Sequence, residues 1–415
     1  MYNRPVFDFV PMKFSAVSPF NAAVRSRLPD KIVIYDSTLR DGEQMPGVRF
    51  TPEQKVAIAT KLSDIGVPQI EAGFPAASDQ ETKSVKMIAH LGLRSKILCL
   101  ARAVTADIDA AAECDPDLIL VFICTSNLHL QYKLKIPKEE VIRRVVNCLD
   151  YAHARGLKVA LSTEDSTRSD LSFLLDVYRT AQSSGAARLG ITDTVGCASP
   201  EAINYLVRNI KEATKVPLAA HLHNDFGLAL ANSISALSAG AEAITTTVGG
   251  IGERAGNVPL EQFVMVLKHL YKRDLGIKTE GFTELAKLVF ESANLPLPAN
   301  QPWVGANPFS HESGIHVAAI LNCPMTYESV DPEEVGNKRR LLFGKHSGTA
   351  LVRSRLEERS VTASQEQICD IVRAVKAAGE DHGRISDDEF WQIVKKVMAD
   401  EIKDPSCAPN SSSKP

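Results

Sequence analysis

No stretch of this sequence stays apolar for the roughly 18 residues that a membrane span needs, so passage through a bilayer is not expected. The eight cysteines, at 99, 114, 124, 148, 197, 323, 369 and 407, include no C-x-x-C pair. Several fall inside strand-like runs, as Cys99 does in KILCLA, which predicts buried thiols in a reducing compartment. There is little charge imbalance: a formal net charge of −3 gives no reason to expect nucleic acid or an anionic membrane as partner. No G-x-G-x-x-G follows the first strand-like run, so the usual dinucleotide fingerprint is missing. No internal repeat is visible. Residues 1–29 lack the apolar core of a signal peptide, and carry Arg4, Arg25 and Arg27 against a single acid, Asp8. They read as an N-terminal extension of a cytoplasmic protein, with a mitochondrial transit peptide as the alternative.

What is present is organised around Ile32–Val48, IVIYDSTLRDGEQMPGV. A β-branched apolar run ends at Asp36 and gives way to Ser37, Thr38, Arg40, Asp41, Gly42, Glu43 and Gln44. Thr51 and Pro52 then open a helix as N-cap and first helical residue. Charge is thus concentrated where a strand stops, which in parallel α/β folds is where chemistry is done.

The pattern repeats. Strand-like runs occur at Ile32–Tyr35, Gln69–Ala72, Lys96–Ala101, Leu118–Ile123, Lys158–Leu161, Arg188–Ile191, Pro217–His221 and Ala243–Thr246. Helical patterns lie between them, as at Lys138–Ala154. Eight such units within residues 30–294 predict an α/β fold, a (β/α)₈ TIM barrel. The ends of the runs carry Arg40-Asp41, Glu71, Arg102, Thr125-Ser126 with His129, Ser162 with Glu164-Asp165, Thr192-Asp193-Thr194, His221 with His223, and Thr245–Thr247. Together they describe one polar crater. Beyond it, four prolines and Trp303 between Leu295 and Pro308 predict a linker or lid over residues 295–325. A helical C-terminal subdomain is expected over 326–403, with helices near Thr349–Glu358, Ser364–Ala378 and Asp387–Lys403. A polar, disordered tail is expected over 404–415.

His221 and His223 stand two apart on a strand, so both imidazoles face one side. That spacing suits a divalent metal, with Asp41 as an anionic third ligand; one catalytic and one structural histidine is the alternative. Mixed nitrogen and oxygen donors leave Mg²⁺, Mn²⁺, Zn²⁺ and Co²⁺ open. The glycine-rich GGIGERAGN, 249–257, follows the last strand on the same rim, where it suggests close backbone approach to a ligand and a further donor, Asn257.

DSTLRDGEQMPG, HLHND at 221–225, GIGERAGN at 250–257, HESGIH and GKHSG resemble the 2-isopropylmalate synthase and homocitrate synthase family over roughly residues 30–350. The resemblance implies a metal-dependent acyltransferase on a TIM barrel, condensing acetyl-CoA with a 2-oxoacid. It implies that Asp41, His221, His223 and Asn257 bind the metal and that Arg40 and Thr194 hold the 2-oxoacid, with Gln44, His129 and Ser162 beside them. Gly250, Gly252, Glu253 and Arg254 are then the cofactor-side contacts. Glu164, His316 and Tyr327 match the family's proton-transfer residues, with Arg40 neutralising the developing alkoxide. In this family the C-terminal part reaches over the barrel of a partner, which implies a homodimer with exchanged C-terminal segments.

Two departures bear on the acceptor. The chain ends before the regulatory domain usual in isopropylmalate synthases, so insensitivity to leucine is expected. Homocitrate synthases carry an arginine two residues before the strand-five serine, to pair with the distal carboxylate of 2-oxoglutarate; here that residue is Ala160. A monocarboxylic, apolar acceptor such as 2-oxoisovalerate or an aryl homologue is therefore expected, with Arg102 or His129 as possible substitute partners for a carboxylate. Homocitrate or citramalate synthesis is the alternative. A hydroxymethylglutaryl-CoA-type lyase is disfavoured because residues 249–257 lack that family's cysteine. A biotin-dependent carboxyltransferase would need a metal-binding lysine, which the strand ends do not offer.

Overall fold

The structure, a computed structural model, describes residues 15–24 and 28–400. The expected tail at 404–415 and most of the N-terminal extension lie outside the described residues. No helix among the described residues is long and apolar enough to cross a membrane.

Eight parallel strands close into a barrel in sequence order: β1 Val33–Asp36, β2 Gln69–Glu71, β3 Lys96–Arg102, β4 Leu118–Cys124, β5 Val159–Glu164, β6 Leu189–Asp193, β7 Leu218–Leu222 and β8 Ala243–Thr246. Closure comes from β1 pairing with β8, Val33 opposite Ala243 and Asp36 opposite Thr246. The (β/α)₈ architecture follows from the sequence pattern. Apolar β-branched runs bury both faces, because helices cover the outside and side chains fill the inside. Tyr35, Leu98, Leu118, Leu120, Ala160, Ala219 and Ala243 pack together in the barrel interior.

The helices begin where local chemistry dictates. Thr51 caps the helix Pro52–Asp64 in a reciprocal box: its hydroxyl accepts from Gln54 N at 3.2 Å, and Gln54 Oε1 accepts from Thr51 N at 2.8 Å. Lys138–His153 turns Val141, Val145, Cys148, Leu149 and Ala152 to the sheet.

The strands run further than their apolar residues do. β5 continues through Ser162 to Glu164, and β6 through Thr192 to Asp193. Ladder pairing, with Ser162 opposite Gly190, keeps the backbone extended after the hydrophobic run has ended. The candidate residues Ser162 and Glu164 therefore sit on sheet, and Thr194 follows β6 by one residue. β7 stops at Leu222, and His223 is held by an isolated antiparallel bridge to Asn257.

The chain divides into two compact units. One is Ser18–Val304; the other begins at Gly305 and includes the described residues before Ser18. The stretch 295–325 is split between them at Val304, and contains the helix Gly314–Asn322. The second unit has a two-stranded parallel ribbon, Ser310–His311 with Arg340–Leu341. Its further helices are Thr349–Glu358, Gln365–His382 and Asp387–Asp400, around a core that includes Val317, Phe343, Ile371, Val375 and Phe390. HESGIH and GKHSG meet in this unit: a Cβ on Gly314 would lie 2.8 Å from the backbone of Gly348, and one on Gly344 would strike the Glu312 carboxylate at 2.6 Å. The backbone contact of Gly314 with Gly348 leaves no room for a side chain, whereas at Gly344 the Glu312 side chain would have to move.

Candidate metal centre and acceptor pocket

The carboxyl ends of the strands surround a cavity of about 340 Å³. Its lining includes Arg40, Asp41, Gln44, Glu71, Ser162, Glu164, Thr194, His221, His223, Glu253 and Arg254, with Tyr35, Leu100, Leu120 and Phe122 below and to one side.

Asp41, His221 and His223 converge at one end. Their ligand atoms lie within 4.8 Å of one another, and all three residues are buried. His221 Nε2 is 3.5 Å and His223 Nε2 is 3.9 Å from Asp41 Oδ2, and the two Nε2 atoms are 3.1 Å apart. Asn257 donates from Nδ2 to Asp41 Oδ1 at 2.7 Å, while its own Oδ1 is buried without a partner. An anionic oxygen, two imidazole nitrogens and an unpartnered amide oxygen fit a divalent cation. Gly252, at φ +153°, makes the cluster possible: a Cβ there would meet Asn257 Nδ2 at 2.2 Å and Asp41 Oδ1 at 2.7 Å. Protonation states suit ligation. Burial, and then His221, push the His223 imidazolium down to about 3, leaving a neutral ring. Burial alone would raise the Asp41 carboxyl, but Arg40 and the two histidines hold it well below the ordinary carboxylate range.

Arg40 is clamped from both sides. Its Nε and Nη2 donate to Glu71 at 2.8 and 3.0 Å, and its Nη1 donates to Asp41 Oδ2 at 2.6 Å. Nη1 also reaches Gln44 Oε1 at 3.4 Å. Burial lowers the basicity of the guanidinium, but Glu71 and Asp41 more than restore it, so it stays cationic.

The opposite wall carries Glu164. Lys133 donates to both its oxygens, at 2.6 and 2.8 Å, and Cys124 Sγ lies 2.9 Å from Oε2. His129 lies behind, with Nδ1 3.4 Å from Glu164 Oε1 and Nε2 3.7 Å from Asp165 Oδ2, and does not line the cavity. Thr194 Oγ1 accepts from Asp165 N at 2.8 Å. Arg254 donates to Thr194 O at 2.6 Å and to Asp225 at 2.8 Å, which anchors the glycine-rich loop to the HLHND segment. Glu253 and Arg254 line the cavity; Gly250 and Gly252 shape the loop without lining it. Arg102, weighed from sequence as a carboxylate partner, is mostly exposed and bound at 2.7 and 2.8 Å to Asp107.

His316 and Tyr327 belong to the second unit, where they stack with ring centroids 3.9 Å apart at 29°. Both are exposed.

Three contributors escaped sequence reasoning. Glu71 stood among the strand-end residues without a role; a buried glutamate closing a strand next to an Arg-Asp pair was the available signal. Lys133 is delivered by a single π-turn, Leu130–Leu134, closed by Lys135 at φ +55°, and no pattern announces such a turn. Tyr35 reads as an ordinary core aromatic until the strand register puts it on the cavity floor.

Residues 31–289 match the HMGL-like family, and residues 303–383 match the homocitrate synthase post-HMGL domain-like family. The chain is 49% identical over 383 residues to the homocitrate synthase AksA of Methanopyrus kandleri, covering 92% of this chain and 96% of that one. It is 44% identical over 375 residues to the 2-isopropylmalate synthase of Methanocaldococcus jannaschii, covering 89% and 72%. Among solved structures, the HMG-CoA lyase of Bacillus subtilis superposes with a TM-score of 0.60 at 22% identity, over 66% of this chain and 97% of that one, a likeness of fold. With the family match spanning residues 31–289 and the homocitrate synthase relative aligned almost end to end, the chain belongs to the HMGL-like family, in the group that holds the homocitrate and 2-isopropylmalate synthases.

Proposed function

We propose that this protein condenses acetyl-CoA with a 2-oxoacid and hydrolyses the resulting thioester, giving a 2-substituted malate and free coenzyme A. The observation that carries the reading is the cavity itself. Asp41, His221 and His223 meet Arg40 at one end, and Glu164 lies across from them on the opposite wall.

The roles follow from charge. Arg40 binds the acceptor's carboxylate end and neutralises the oxygen that becomes an alkoxide when the ketone is attacked. Ser162 and Thr194 orient the acceptor, with Gln44 beside Arg40. Glu164 accepts the α-proton of the acetyl group as the methyl carbon attacks the ketone carbon, and Lys133 keeps that carboxylate in place. A divalent ion held by Asp41, His221, His223 and Asn257 supplies Lewis-acid polarisation of the ketone oxygen when bound. Mg²⁺, Mn²⁺, Zn²⁺ and Co²⁺ all remain compatible with the donor set. Gly250, Gly252, Glu253 and Arg254 form the rim on the acetyl-CoA side. Water then cleaves the thioester, leaving the carboxylate of the product and the free thiol.

His316 and Tyr327 are proposed to complete proton transfer in the barrel of a second copy, through exchanged C-terminal segments in a homodimer. Their exposure, with Ile315 78% and Met325 51% exposed beside them, supports a surface that another chain covers. Thiol release from acetyl-CoA that depends on a 2-oxoacid tests the whole reading; release at the same rate without a 2-oxoacid would refute it. The sequence-based expectation of a monocarboxylic acceptor rests on Ala160.

A further inference from the structure

Leu161 N donates to Arg188 O at 3.0 Å, and the ladder continues with Ser162 opposite Gly190. Two residues below Ser162 and Gly190, on the same pair of strands, Ala160 therefore stands beside Arg188. The side chain of Arg188 crosses the barrel interior: Nη1 donates to Gln69 Oε1 at 2.7 Å, and the guanidinium lies 4.8 Å from the ring centroid of Tyr35. Tyr35 in turn lines the floor of the cavity, with Leu100 and Leu120.

This cation is 8% exposed, and its Nη2 has no hydrogen-bond partner. Among the described residues no carboxylate lies within ion-pairing distance of it. The carboxylate of Glu71 is committed elsewhere: one oxygen accepts from Arg40, and the other from Arg40 and Ser37. A guanidinium removed from water without an anion is strongly unfavourable, and a planar carboxylate is its natural complement. Burial pulls the basicity of Arg188 down, with Tyr35 and Glu71 only partly opposing, as expected of a cation lacking its counter-ion.

We propose that Arg188 reads the far end of the acceptor, pairing with a second carboxylate, so that the enzyme prefers dicarboxylic 2-oxoacids over apolar monocarboxylic ones. The proposal rests on the condensing reading above. The cation that Ala160 does not supply from β5 comes from the head of β6, one strand over at the same level. Arg40 and the metal ligands hold the 2-oxoacid end at the rim, and the distal carboxylate reaches past Tyr35 to Arg188, which stands against the Tyr35 ring just outside the cavity lining.

The test compares specificity constants by thiol release for 2-oxoglutarate, 2-oxoadipate, 2-oxoisovalerate and pyruvate. For the wild type, one of the dicarboxylic acids is expected to exceed both monocarboxylic ones by at least tenfold. Arg188→Met should lower that ratio at least a hundredfold, and Arg188→Lys should leave it in the dicarboxylic acid's favour. A wild-type preference for a monocarboxylic acid, or an equal loss on both classes in a folded Arg188→Met protein, would overturn the proposal. If Arg188→Met does not fold, the wild-type and Arg188→Lys ratios decide by the same criteria. If no 2-oxoacid releases thiol, the condensing reading fails and Arg188 is judged by binding alone. In that case 2-oxoglutarate with Mg²⁺ must raise the melting temperature of the wild type more than 2-oxoisovalerate does, and equal shifts would overturn the proposal.

Discussion

Arg40 and Glu71 form a two-point ion pair across the ends of β1 and β2, at 2.8 and 3.0 Å, with Glu71 entirely buried. Glu71 does not simply neutralise the arginine. It fixes the plane of the guanidinium, so that Nη1 is left for Asp41 and the cavity, and Ser37 holds the carboxylate in turn at 2.5 Å.

Removing Glu71 should therefore damage two properties at once. Glu71→Ala leaves Arg40 half-paired in a buried site, and should destabilise the fold by about 3 kcal/mol. It should also lower kcat/KM for the 2-oxoacid at least a hundredfold through loss of orientation. Glu71→Gln keeps one acceptor oxygen and should fall between the two in both respects. Chemical denaturation and steady-state kinetics on the two variants check this; a Glu71→Ala protein with full activity would contradict it.

Subunit mixing tests the placing of His316 and Tyr327. Arg40→Ala and His316→Ala should each be nearly inactive alone. If His316 serves the neighbouring barrel, co-refolded mixtures should recover part of the activity, because heterodimers contain one intact site. No recovery, with heterodimers demonstrated by differential tagging, would contradict the exchange.

Buried carboxyls give the stability a definite pH dependence. Burial pushes Asp36 up to about 7 and Glu261 up to about 7, against ordinary carboxyl values near 4. The folded state thus keeps protons that the unfolded chain has released. Stability from these groups is greatest below about pH 4, falls as the pH rises toward 7, and levels off above it. Asp36→Asn can still accept from Thr38 N, the 2.9 Å bond of the native carboxylate, and cannot ionise. Relative to the wild type it should gain stability as the pH rises from 4 to 7. Melting temperatures across that range check the sign, and a difference independent of pH would contradict it.

The barrel was legible because each of its strands is a short apolar run closed by polar residues, with a helix following. Thr51-Pro52 gave the start of a helix outright, and His221 and His223 declared a shared direction through period-two alternation. What stayed hidden depends on closure. Arg188 and Tyr35 are 153 positions apart, and only a barrel sets one ring against the other's guanidinium. That Ala160 stands beside Arg188 cannot be read without the strand register. Lys133 reaches Glu164 from a π-turn that has no sequence signature. In the second unit the apolar spacing predicted helices near 349, 364 and 387, whereas the packing of Gly314 on Gly348 is a property of the assembled backbone.

The most direct measurement is thiol release from acetyl-CoA, with and without a 2-oxoacid, in wild type and His223→Ala before and after exhaustive chelation. Wild type should release thiol only with the 2-oxoacid present, lose the activity on chelation, and regain it with added Mg²⁺, Mn²⁺, Zn²⁺ or Co²⁺. His223→Ala should bind no stoichiometric ion by elemental analysis and remain inactive throughout. Thiol release that survives chelation, or that proceeds equally without the 2-oxoacid, would contradict a metal-assisted condensation at Asp41, His221 and His223.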